Sequence, residues 1–389
     1  MEQGMSEHYT RADIERAGHW VIKLGSNVLL ERPGLLDRPT FAALVRGVDA
    51  LMGAGISVTI VSSGAVALGR QIMADRDDGT RSIPRLQALA ALGQPHLLNL
   101  YDAEFSHYGR RVAQLLFTRG DLDDRKRYLN ARYAIEEVRA LGAIPIINEN
   151  DTVATEELRF GDNDQLAAMT CGLVGADMLV ILSDVDGVYE VEIDPVENTR
   201  RFTARIPHIE ARSERLDELA GPSRSGVGTG GMVTKITAAR IAARVGVPTI
   251  IAPGKRGGVL ESLAAGEDVG TLLYPDGEQR AASGKKVWLG TSALAVGSIV
   301  CDGGAMRAVI ERGASLLPVG ITEVRGDFEE GSTVELLDSS SGERFALGVS
   351  VYSSRALTRL IGSTTDEIEE RLGYKLLDCA VHRDNLVCL

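Results

Sequence analysis

The residues from Gly226 to Lys235 have the types and the spacing of a loop that binds phosphate. Four of the first six are glycines, whose backbone N–H groups can approach an anion closely and point at it together. An apolar helical period follows from Met232 to Ala243. The loop would therefore lie at a helix N-terminus, where the helix dipole also favours negative charge, and Lys235 would add a cation one turn in.

Other interpretations of this stretch are weaker. The spacing Gly226-x-Gly228-x-x-Gly231 also fits the dinucleotide fingerprint, but that motif needs a preceding strand, and residues 221–225 have the composition of a loop. The Walker pattern fails because no lysine directly follows the last glycine. A flexible glycine linker without a ligand is the remaining alternative.

A second candidate is Lys23, near the end of the apolar strand pattern at residues 20–27. A lysine within a hydrophobic strand is costly unless its ammonium group has a partner, which predicts an anion near the end of this strand. The alternative is an edge lysine whose ammonium group reaches solvent.

Two clusters of Asn and Asp follow one strand pattern. Asn148-Glu149-Asn150-Asp151 comes directly after residues 144–147, and Gly161-Asp162-Asn163-Asp164 comes a few residues later. Such residues are common in turns, and Asp162 or Asn163 could simply cap a helix at 165–174. Because both clusters would lie at the same end of one sheet, they also predict a site for a small polar substrate that carries an amino group.

The elements that must position these residues alternate along the chain. Helical periodicity separates the strand patterns, which predicts parallel crossovers in an α/β sheet. Ser62-Ser63-Gly64-Ala65 and Ser183-Asp184 each follow a strand, where open α/β sheets hold ligands. Residues 190–225 are expected to form a surface excursion, and 248–252 to close the sheet. The predicted strands are 20–27, 56–61, 112–117, 144–147, 177–182 and 248–252.

The chain is long enough for more than one domain. Beyond the first pattern, short alternating segments separated by Gly, Asp and Ser predict a small β-rich domain or barrel. We expect a polar N-terminal extension at 1–18, a first domain at 19–255, a linker at 256–284, the β-rich domain at 285–380 and a tail at 381–389.

Composition excludes several classes of function. A formal net charge of −12 argues against nonspecific binding to nucleic acid or membrane surfaces, so an anionic substrate would need local cations. Residues 1–18 lack the apolar core of a signal peptide and no run is long enough for a membrane span, so we expect a cytoplasmic protein. The four cysteines form no Cys-x-x-Cys pair, which disfavours metal and disulfide roles.

Taken together, these stretches resemble the glutamate 5-kinases of the amino-acid kinase family. The resemblance runs from Val21 to Asp384, and it departs from the family at Ser26 and Ser183, where a Thr is common and the hydroxyl is kept. It implies a three-layer α/β/α fold with a mostly parallel open sheet, followed by a C-terminal PUA domain. The matching blocks, in order, are Lys23–Ser26, Ser62–Ala65, Asn148–Asp151, Gly161–Asp164, Ser183–Asp184 and Thr229–Lys235.

The resemblance implies a reaction and a role for each block. The reaction is ATP-dependent phosphorylation of the γ-carboxylate of L-glutamate, the first step of proline biosynthesis, with Mg²⁺ held mainly by the ATP phosphates rather than by the protein. Lys23 and Lys235 would be catalytic, oriented by Asp164 or Asp162. ATP would be bound by Lys23, Gly25, Ser183, Asp184, Thr229, Gly230, Gly231, Met232, Val233, Thr234 and Lys235, and glutamate by Ser63, Gly64, Asn148, Asp151 and Asn163.

The same resemblance implies a homo-oligomer, dimer or tetramer, that is inhibited by proline. Two alternatives stay open. One is another amino-acid kinase, acting on N-acetylglutamate, aspartate or carbamate. The other is RNA binding through the PUA domain, which the charge of residues 285–389 disfavours, because 11 Lys and Arg stand against 15 Asp and Glu.

Overall fold

The computed structural model describes residues 11–32, 35–75, 79, 82–154, 163–193, 200–220, 231–276 and 295–388. The chain divides into two compact units, Met1–Asp124 with Asn130–Ala281 and Arg125–Leu129 with Ala282–Leu389. Each unit contains its own main sheet. None of the described helices is long and apolar enough to cross a membrane.

The strands of the first unit are short runs rich in aliphatic and β-branched residues, the composition that a sheet buried on both faces requires. In chain order they are β1 (His19–Leu24), β2 (Leu30–Arg32), β3 (Leu35–Leu36), β4 (Ser57–Val61), β5 (Arg111–Phe117), β6 (Ala143–Glu149), β7 (Met178–Ser183), β8 (Tyr189–Ile193), β9 (Arg200–Arg205), β10 (His208–Glu210), β11 (Thr249–Pro253) and β12 (Thr271–Tyr274).

Eight of these strands form one sheet in the order β10-β12-β11-β7-β1-β4-β6-β5. Every neighbouring pair is parallel except β11 and β12, which are antiparallel. The pairs β2–β3 and β8–β9 form two separate antiparallel hairpins. The predicted parallel crossovers are therefore confirmed, and the carboxyl ends of β1, β4, β6 and β7 meet at one edge of the sheet.

Helices connect the strands of this unit. Most begin at positions that the sequence marks locally: Asp37, for example, caps the second helix by accepting a hydrogen bond from the Thr40 N–H group. The helices are α1 (Ser26–Leu29), α2 (Arg38–Gly53), α3 (Ala65–Ile72), α4 (Ile83–Ser106), α5 (Arg119–Asp123), α6 (Arg125–Ala140), α7 (Asn163–Val174), α8 (Arg215–Ala220), α9 (Met232–Arg244) and α10 (Val259–Ala264).

Alternate residues of β1 face two helical layers. Trp20 and Ile22 are buried in a core that includes Phe41 of α2 and Tyr101 of α4. Lys23 falls on the other face, because side chains alternate along a strand. On that face α7 packs against β1 and β7, and α9 packs against β7 and β11. This arrangement confirms the three-layer α/β/α prediction.

Helices α3 and α4 cross with their backbones in contact. A Cβ atom at Gly93 would overlap the carbonyl oxygen of Ala65, and one at Gly69 would overlap that of Leu89. Pro95 lies inside α4, where it removes one backbone hydrogen bond at a cost of about 3 kcal/mol. This crossing holds Gln94, which lies between Gly93 and Pro95 in the chain, in position against the sheet.

The second unit is the β-rich part that the sequence predicts. Its strands form one sheet in the order β14-β13-β15-β16-β17, in which only β13 and β15 are parallel. Its core is apolar and includes Ile299, Val334, Tyr352 and Leu357. The elements are β13 (Gly297–Cys301), α11 (Gly303–Arg312), β14 (Ile321–Arg325), β15 (Thr333–Asp338), β16 (Arg344–Ser350), α12 (Ser354–Leu360), α13 (Glu367–Leu372) and β17 (Val381–Cys388).

The large sheet extends further than the sequence indicates. The prediction that residues 248–252 close it is wrong, because β12 pairs with β11 and β10 pairs with β12. These two strands have four residues or fewer, too few for a recognisable alternation. As a result α10 and β12 lie within the segment predicted as a linker, and β17 lies within the predicted tail.

The predicted N-terminal extension also contains structure. Arg11–Arg16 forms a 3₁₀ helix, and Ile14 is fully buried in the core of the first unit. The guanidinium group of Arg11 donates hydrogen bonds to the carbonyl oxygens of Val269 and Gly270.

Candidate active site

Two lysines and one aspartate meet at the carboxyl end of β1. Lys23 is the fifth residue of β1, Asp164 the second of α7 and Lys235 the fourth of α9. The Nζ atom of Lys23 lies 2.5 Å from Oδ1 of Asp164, and that of Lys235 lies 3.2 Å from Oδ2. Exposures of 3%, 0% and 7% place all three side chains in the interior. The structure thus brings together residues from three separate blocks of the sequence.

The cluster carries more positive than negative charge. Burial alone would raise the pKa of Asp164, but the ammonium groups of Lys23 and Lys235 offset it and hold that pKa below its usual range. Asp164 is therefore ionised, and the two ammonium groups both contact this carboxylate. Two ammonium groups placed together would also attract the negative charge of a phosphate.

Thr234 links the cluster to the first turn of α9. Its hydroxyl oxygen lies 3.1 Å from Oδ2 of Asp164, accepts a hydrogen bond from the Gly231 N–H group, and lies 2.8 Å from the Gly231 carbonyl oxygen. The predicted helix N-terminus is present, with Met232 and Val233 as the first two residues of α9. The rest of the glycine-rich loop, with Thr229 and Gly230, lies outside the described residues.

A smaller polar group lies at the end of β7. The hydroxyl of Ser183 donates to Oδ1 of Asp184 at 2.9 Å, and the side-chain amide of Asn27 donates to Oδ2 at 3.0 Å. Burial raises the pKa of Asp184, but these two hydrogen bonds outweigh it and lower that pKa. Gly25 lies beside them, its N–H group bonded to the carbonyl oxygen of Leu182 at 3.2 Å.

Next to this group is a cavity of about 1020 Å³. It is lined by Asn27, Ser183 and Asp184 on one side and by residues of α3, including Arg70, on another. Its size suits a ligand larger than a single phosphate. Asn27 is a site residue that the sequence motifs do not indicate, although it directly follows the Lys23–Ser26 block.

The predicted substrate residues form a network of amides and hydroxyls. The Nδ2 atom of Asn163 lies 2.6 Å from the Ser62 carbonyl oxygen, 3.0 Å from the Ser63 hydroxyl oxygen and 2.8 Å from Oδ1 of Asn148. Asn148 in turn donates from its Nδ2 atom to Oε1 of Gln94 at 3.0 Å. The two Asn-containing clusters therefore meet, as their position at one sheet edge predicts.

The remaining predicted residues surround this network. Gly64 precedes α3 with φ of 105°, a left-handed conformation that favours glycine. Asp151 lies half-buried in the turn after β6. Asp162 lies outside the described residues.

Sequence reasoning missed two buried residues behind the network. One is Gln94. The other is Tyr101, whose hydroxyl lies 2.8 Å from that of Ser62 and whose pKa is raised by burial. Both stand in α4, and a polar residue in an amphipathic helix gives no local sign of the partner that it meets in the fold.

The described residues contain no group of three or more His, Cys, Asp and Glu side chains placed to hold a metal ion. The side chains that converge at the end of β1 are ammonium groups, which suit an anion rather than a cation. A divalent metal at this site would accordingly have to arrive with an anionic ligand.

A helix N-terminus, two buried ammonium groups and a large cavity at the carboxyl ends of parallel strands define an enzyme that binds a phosphorylated ligand. Residues 19–253 match the amino acid kinase family, and residues 297–372 match the PUA domain. The predicted PUA domain is thereby confirmed.

Curated relatives extend this match over nearly the full length of the chain. Glutamate 5-kinase from Thermus thermophilus is 46% identical over 94% of this chain and 96% of its own. Those from Pelobacter propionicus and Trichlorobacter lovleyi are each 42% identical, over 95% and 97% of this chain and 97% and 99% of theirs. The chain belongs to the amino acid kinase family and, within it, to the glutamate 5-kinases. It is therefore a phosphotransferase that uses ATP.

Proposed function

We propose that the protein transfers the γ-phosphoryl group of ATP to the γ-carboxylate of L-glutamate, the first step of proline biosynthesis. The observation that carries the proposal is the pairing of two buried lysines with one buried aspartate, within reach of a helix N-terminus. The relatives described above are named glutamate 5-kinase, which is the name of this activity.

The chemistry explains why cations dominate the site. A γ-carboxylate oxygen of glutamate attacks the γ-phosphorus, the bond from that phosphorus to the bridging oxygen breaks, and ADP leaves. The attacking carboxylate is ionised at neutral pH, so no general base is needed. The barrier lies in bringing two anions together, and positioning with charge neutralisation has to lower it.

Lys23 and Lys235 supply that neutralisation from a strand and a helix. Asp164 holds both ammonium groups by its two carboxylate oxygens, so each is fixed before the substrates bind. Pre-positioned charge needs no rearrangement as the phosphoryl group moves. Asp164 is thus the residue that we propose to orient the lysines.

ATP would bind across the end of β7 and the start of α9. The first N–H groups of α9 have no partner within the helix and suit phosphate oxygens. Ser183 and Asp184 line the neighbouring cavity, which we assign to the nucleotide. Gly25, which is bonded to Leu182 at the end of β7, belongs to the same proposed site. Mg²⁺ would arrive on the phosphate oxygens and supply further charge neutralisation there.

Glutamate would bind at the amide network. The Nδ2 atom of Asn163 lies within hydrogen-bond distance of three acceptors of the protein, so its two hydrogens are fully used. Its Oδ1 atom can then accept from the substrate's ammonium group. Ser63, Gly64, Asn148 and Asp151 complete this proposed pocket. An acceptor-rich pocket favours a free amino group, which argues against N-acetylglutamate and carbamate as substrates.

The domain boundaries belong to the same proposal. We assign residues 11–276 apart from 125–129 to the catalytic domain, because Ile14 lies in its core and β12 pairs with β11 of the large sheet. We assign residues 295–388 to the C-terminal domain, because β17 pairs with β16. The homo-oligomeric state, inhibition by proline and a cytoplasmic location stay predictions.

The test is ADP release by the purified protein with ATP and Mg²⁺, with and without glutamate, in the presence of hydroxylamine. Hydroxylamine traps an acyl phosphate as a hydroxamate, so matching amounts of ADP and hydroxamate would support the proposal. N-acetylglutamate, aspartate and carbamate serve as competing substrates, and proline as a further condition. ADP release that does not depend on glutamate would overturn the substrate assignment.

A further inference from the structure

Gln94 of α4 is a buried polar residue, 8% exposed, that makes a hydrogen bond to the amide network. We infer that Gln94 is a positioning residue, which fixes the orientation of the Asn148 amide and, through it, that of Asn163. The inference rests on the proposed binding of glutamate at this network. It assigns to α4, whose Gln94 contacts Asn148 and whose Tyr101 contacts Ser62, a part in recognising the substrate.

Two contacts on opposite sides determine how the Asn148 amide is oriented. The backbone N–H group of Glu149 donates to Oδ1 of Asn148 at 2.9 Å, and Oε1 of Gln94 accepts from its Nδ2 atom at 3.0 Å. A reversed amide would place a donor against a donor and an acceptor against an acceptor. Because Asn148 is 2% exposed, water cannot readily replace either partner.

Asn148 helps to set the orientation of Asn163. Oδ1 of Asn148 and the carbonyl oxygen of Ser62 both accept from Nδ2 of Asn163, at 2.8 and 2.6 Å, so these contacts leave the Oδ1 atom of Asn163 unused. Within the part of the chain that the structure describes, no donor reaches that oxygen. It is an acceptor held ready for a donor of the ligand, such as the ammonium group of an amino acid.

Without the Gln94 oxygen, the buried NH₂ group of Asn148 would lose its acceptor, although the Glu149 N–H group and Asn163 would still mark its Oδ1 end. A less firmly held Asn148 would weaken its contact with Asn163, and the Oδ1 atom of Asn163 would be held less firmly for the ligand. Affinity for the amino acid should fall, whereas the lysine cluster and ATP binding should be unaffected.

The fold holds Gln94 in place for this contact. Gly93 allows the backbones of α3 and α4 to touch, and Pro95 interrupts the hydrogen bonds of α4 immediately afterwards. Residues that break local rules are expected where packing or function requires them. Gly93 serves the packing of α3, and Pro95 lies inside a helix of 24 residues directly after Gln94.

The first experiment compares Gln94→Met with the wild type in steady-state assays that vary glutamate and ATP. Methionine keeps the length of the side chain and removes the acceptor. We expect the glutamate KM to rise about tenfold, the effect of leaving one buried donor unpaired, with kcat and the ATP KM within about twofold. An unchanged glutamate KM in an active Gln94→Met enzyme would overturn the inference and leave the proposed function intact. A wild-type enzyme without glutamate-dependent ADP release would instead overturn the proposed function.

Two further variants separate positioning from a purely structural role. In an Asn148→Ala background, Gln94→Met should change the glutamate KM by less than about twofold, because the residue through which Gln94 acts is gone. Gln94→Glu keeps an acceptor oxygen and should hold the glutamate KM within about threefold of the wild type. An undiminished effect in the double variant, or a tenfold rise in Gln94→Glu, contradicts the inference.

Leu97→Val is the matched control. Leu97 is buried in the same helix, one turn after Gln94, and belongs to the apolar core. This change lowers the stability of α4 without touching the amide network, so it should lower the melting temperature and leave the glutamate KM unchanged. A rise in glutamate KM in this variant would show that any loosening of α4 has the same effect, and would overturn the assignment to Gln94.

Discussion

Asn163 and Asp164 are consecutive residues of α7, yet their side chains belong to two different kinds of network. Asp164 joins the charged cluster with Lys23 and Lys235, whereas Asn163 joins the neutral network with Asn148 and Gln94. One helix start therefore serves both halves of the proposed reaction, the transferring phosphoryl group and the accepting amino acid.

The two networks differ in what they can do. In a buried site charges attract strongly but have little directional preference, which suits the neutralisation of phosphate. Amides carry no net charge, and their donors and acceptors have fixed places, which suits the discrimination of one polar ligand from another. We therefore expect changes in the charged cluster to affect stability and kcat, and changes around the amide network to affect the glutamate KM.

The largest effect is expected from Asp164→Asn. Loss of this carboxylate removes an ion-pair partner from two buried ammonium groups, which should lower the free energy of unfolding by about 3–5 kcal/mol. Thermal and urea unfolding at pH 7 measure it. Asp217→Asn is the control, because Asp217 pairs with Arg240 but is 64% exposed, so its replacement should lower the stability far less than Asp164→Asn does.

The difference in stability between the wild type and Asp164→Asn should depend on pH. The pKa of Asp164 is held below its usual range, so the stability that it contributes is complete above the unfolded-state pKa of about 3.9 and is lost as the pH falls through the lower folded-state value. The difference in melting temperature between the wild type and Asp164→Asn should be constant from about pH 7 to 5 and shrink below about pH 4. A difference that grows on acidification would mean that the carboxylate is protonated in the native protein.

Lys235→Ala should lower kcat by about two orders of magnitude or more, as expected for removal of a charge that stabilises the transition state. Steady-state kinetics at saturating glutamate and ATP measure the effect. Lys375→Ala, at an exposed lysine of the second unit that pairs with Asp378, should leave kcat unchanged. Near-normal turnover in Lys235→Ala would remove Lys235 from the proposed mechanism.

Asp151→Ala tests the glutamate pocket that we propose around the amide network. Loss of a charged partner of the substrate should raise the glutamate KM about tenfold or more and leave the ATP KM unchanged. The experiment varies each substrate in turn at a fixed excess of the other. If only the ATP KM moved, the pocket assigned to glutamate would be wrong.

The smallest effect is expected from Thr234→Val, which removes the hydroxyl that joins Asp164 to the first turn of α9. Loss of these hydrogen bonds should lower the free energy of unfolding by about 1 kcal/mol, measured by urea unfolding. Thr234→Ser keeps the hydroxyl and should restore most of the difference. Equal losses in both variants would mean that the methyl group, and not the hydroxyl, is what matters.

Much of the fold could be predicted from local patterns. Buried runs such as Ile144–Ile147 become central parallel strands because only apolar residues can be covered on both faces of a sheet. The helix start at Met232 could also be predicted, because a run of glycines directly before an apolar helical period is recognisable in the sequence. The edge strand β10 and its neighbour β12 escaped prediction because their few residues carry no measurable alternation.

The candidate site shows the same division. That Lys23 needs an anionic partner follows from its place in an apolar strand, and the sequence alone indicates as much. Which carboxylate supplies that partner could not be chosen between Asp162 and Asp164, because both stand at the start of the same predicted helix. The structure shows Asp164 in contact with both lysines.

The sequence by itself determined the classes of element, the residues able to bind phosphate and the family resemblance, because these depend on neighbours along the chain. Only the tertiary structure decided that Lys23, Asp164 and Lys235 share one buried cluster and that Gln94 meets Asn148. The physical reason is that such contacts join residues far apart in the chain, and their distances depend on how the sheet orders its strands and how α3 crosses α4. Local periodicity contains no information about either.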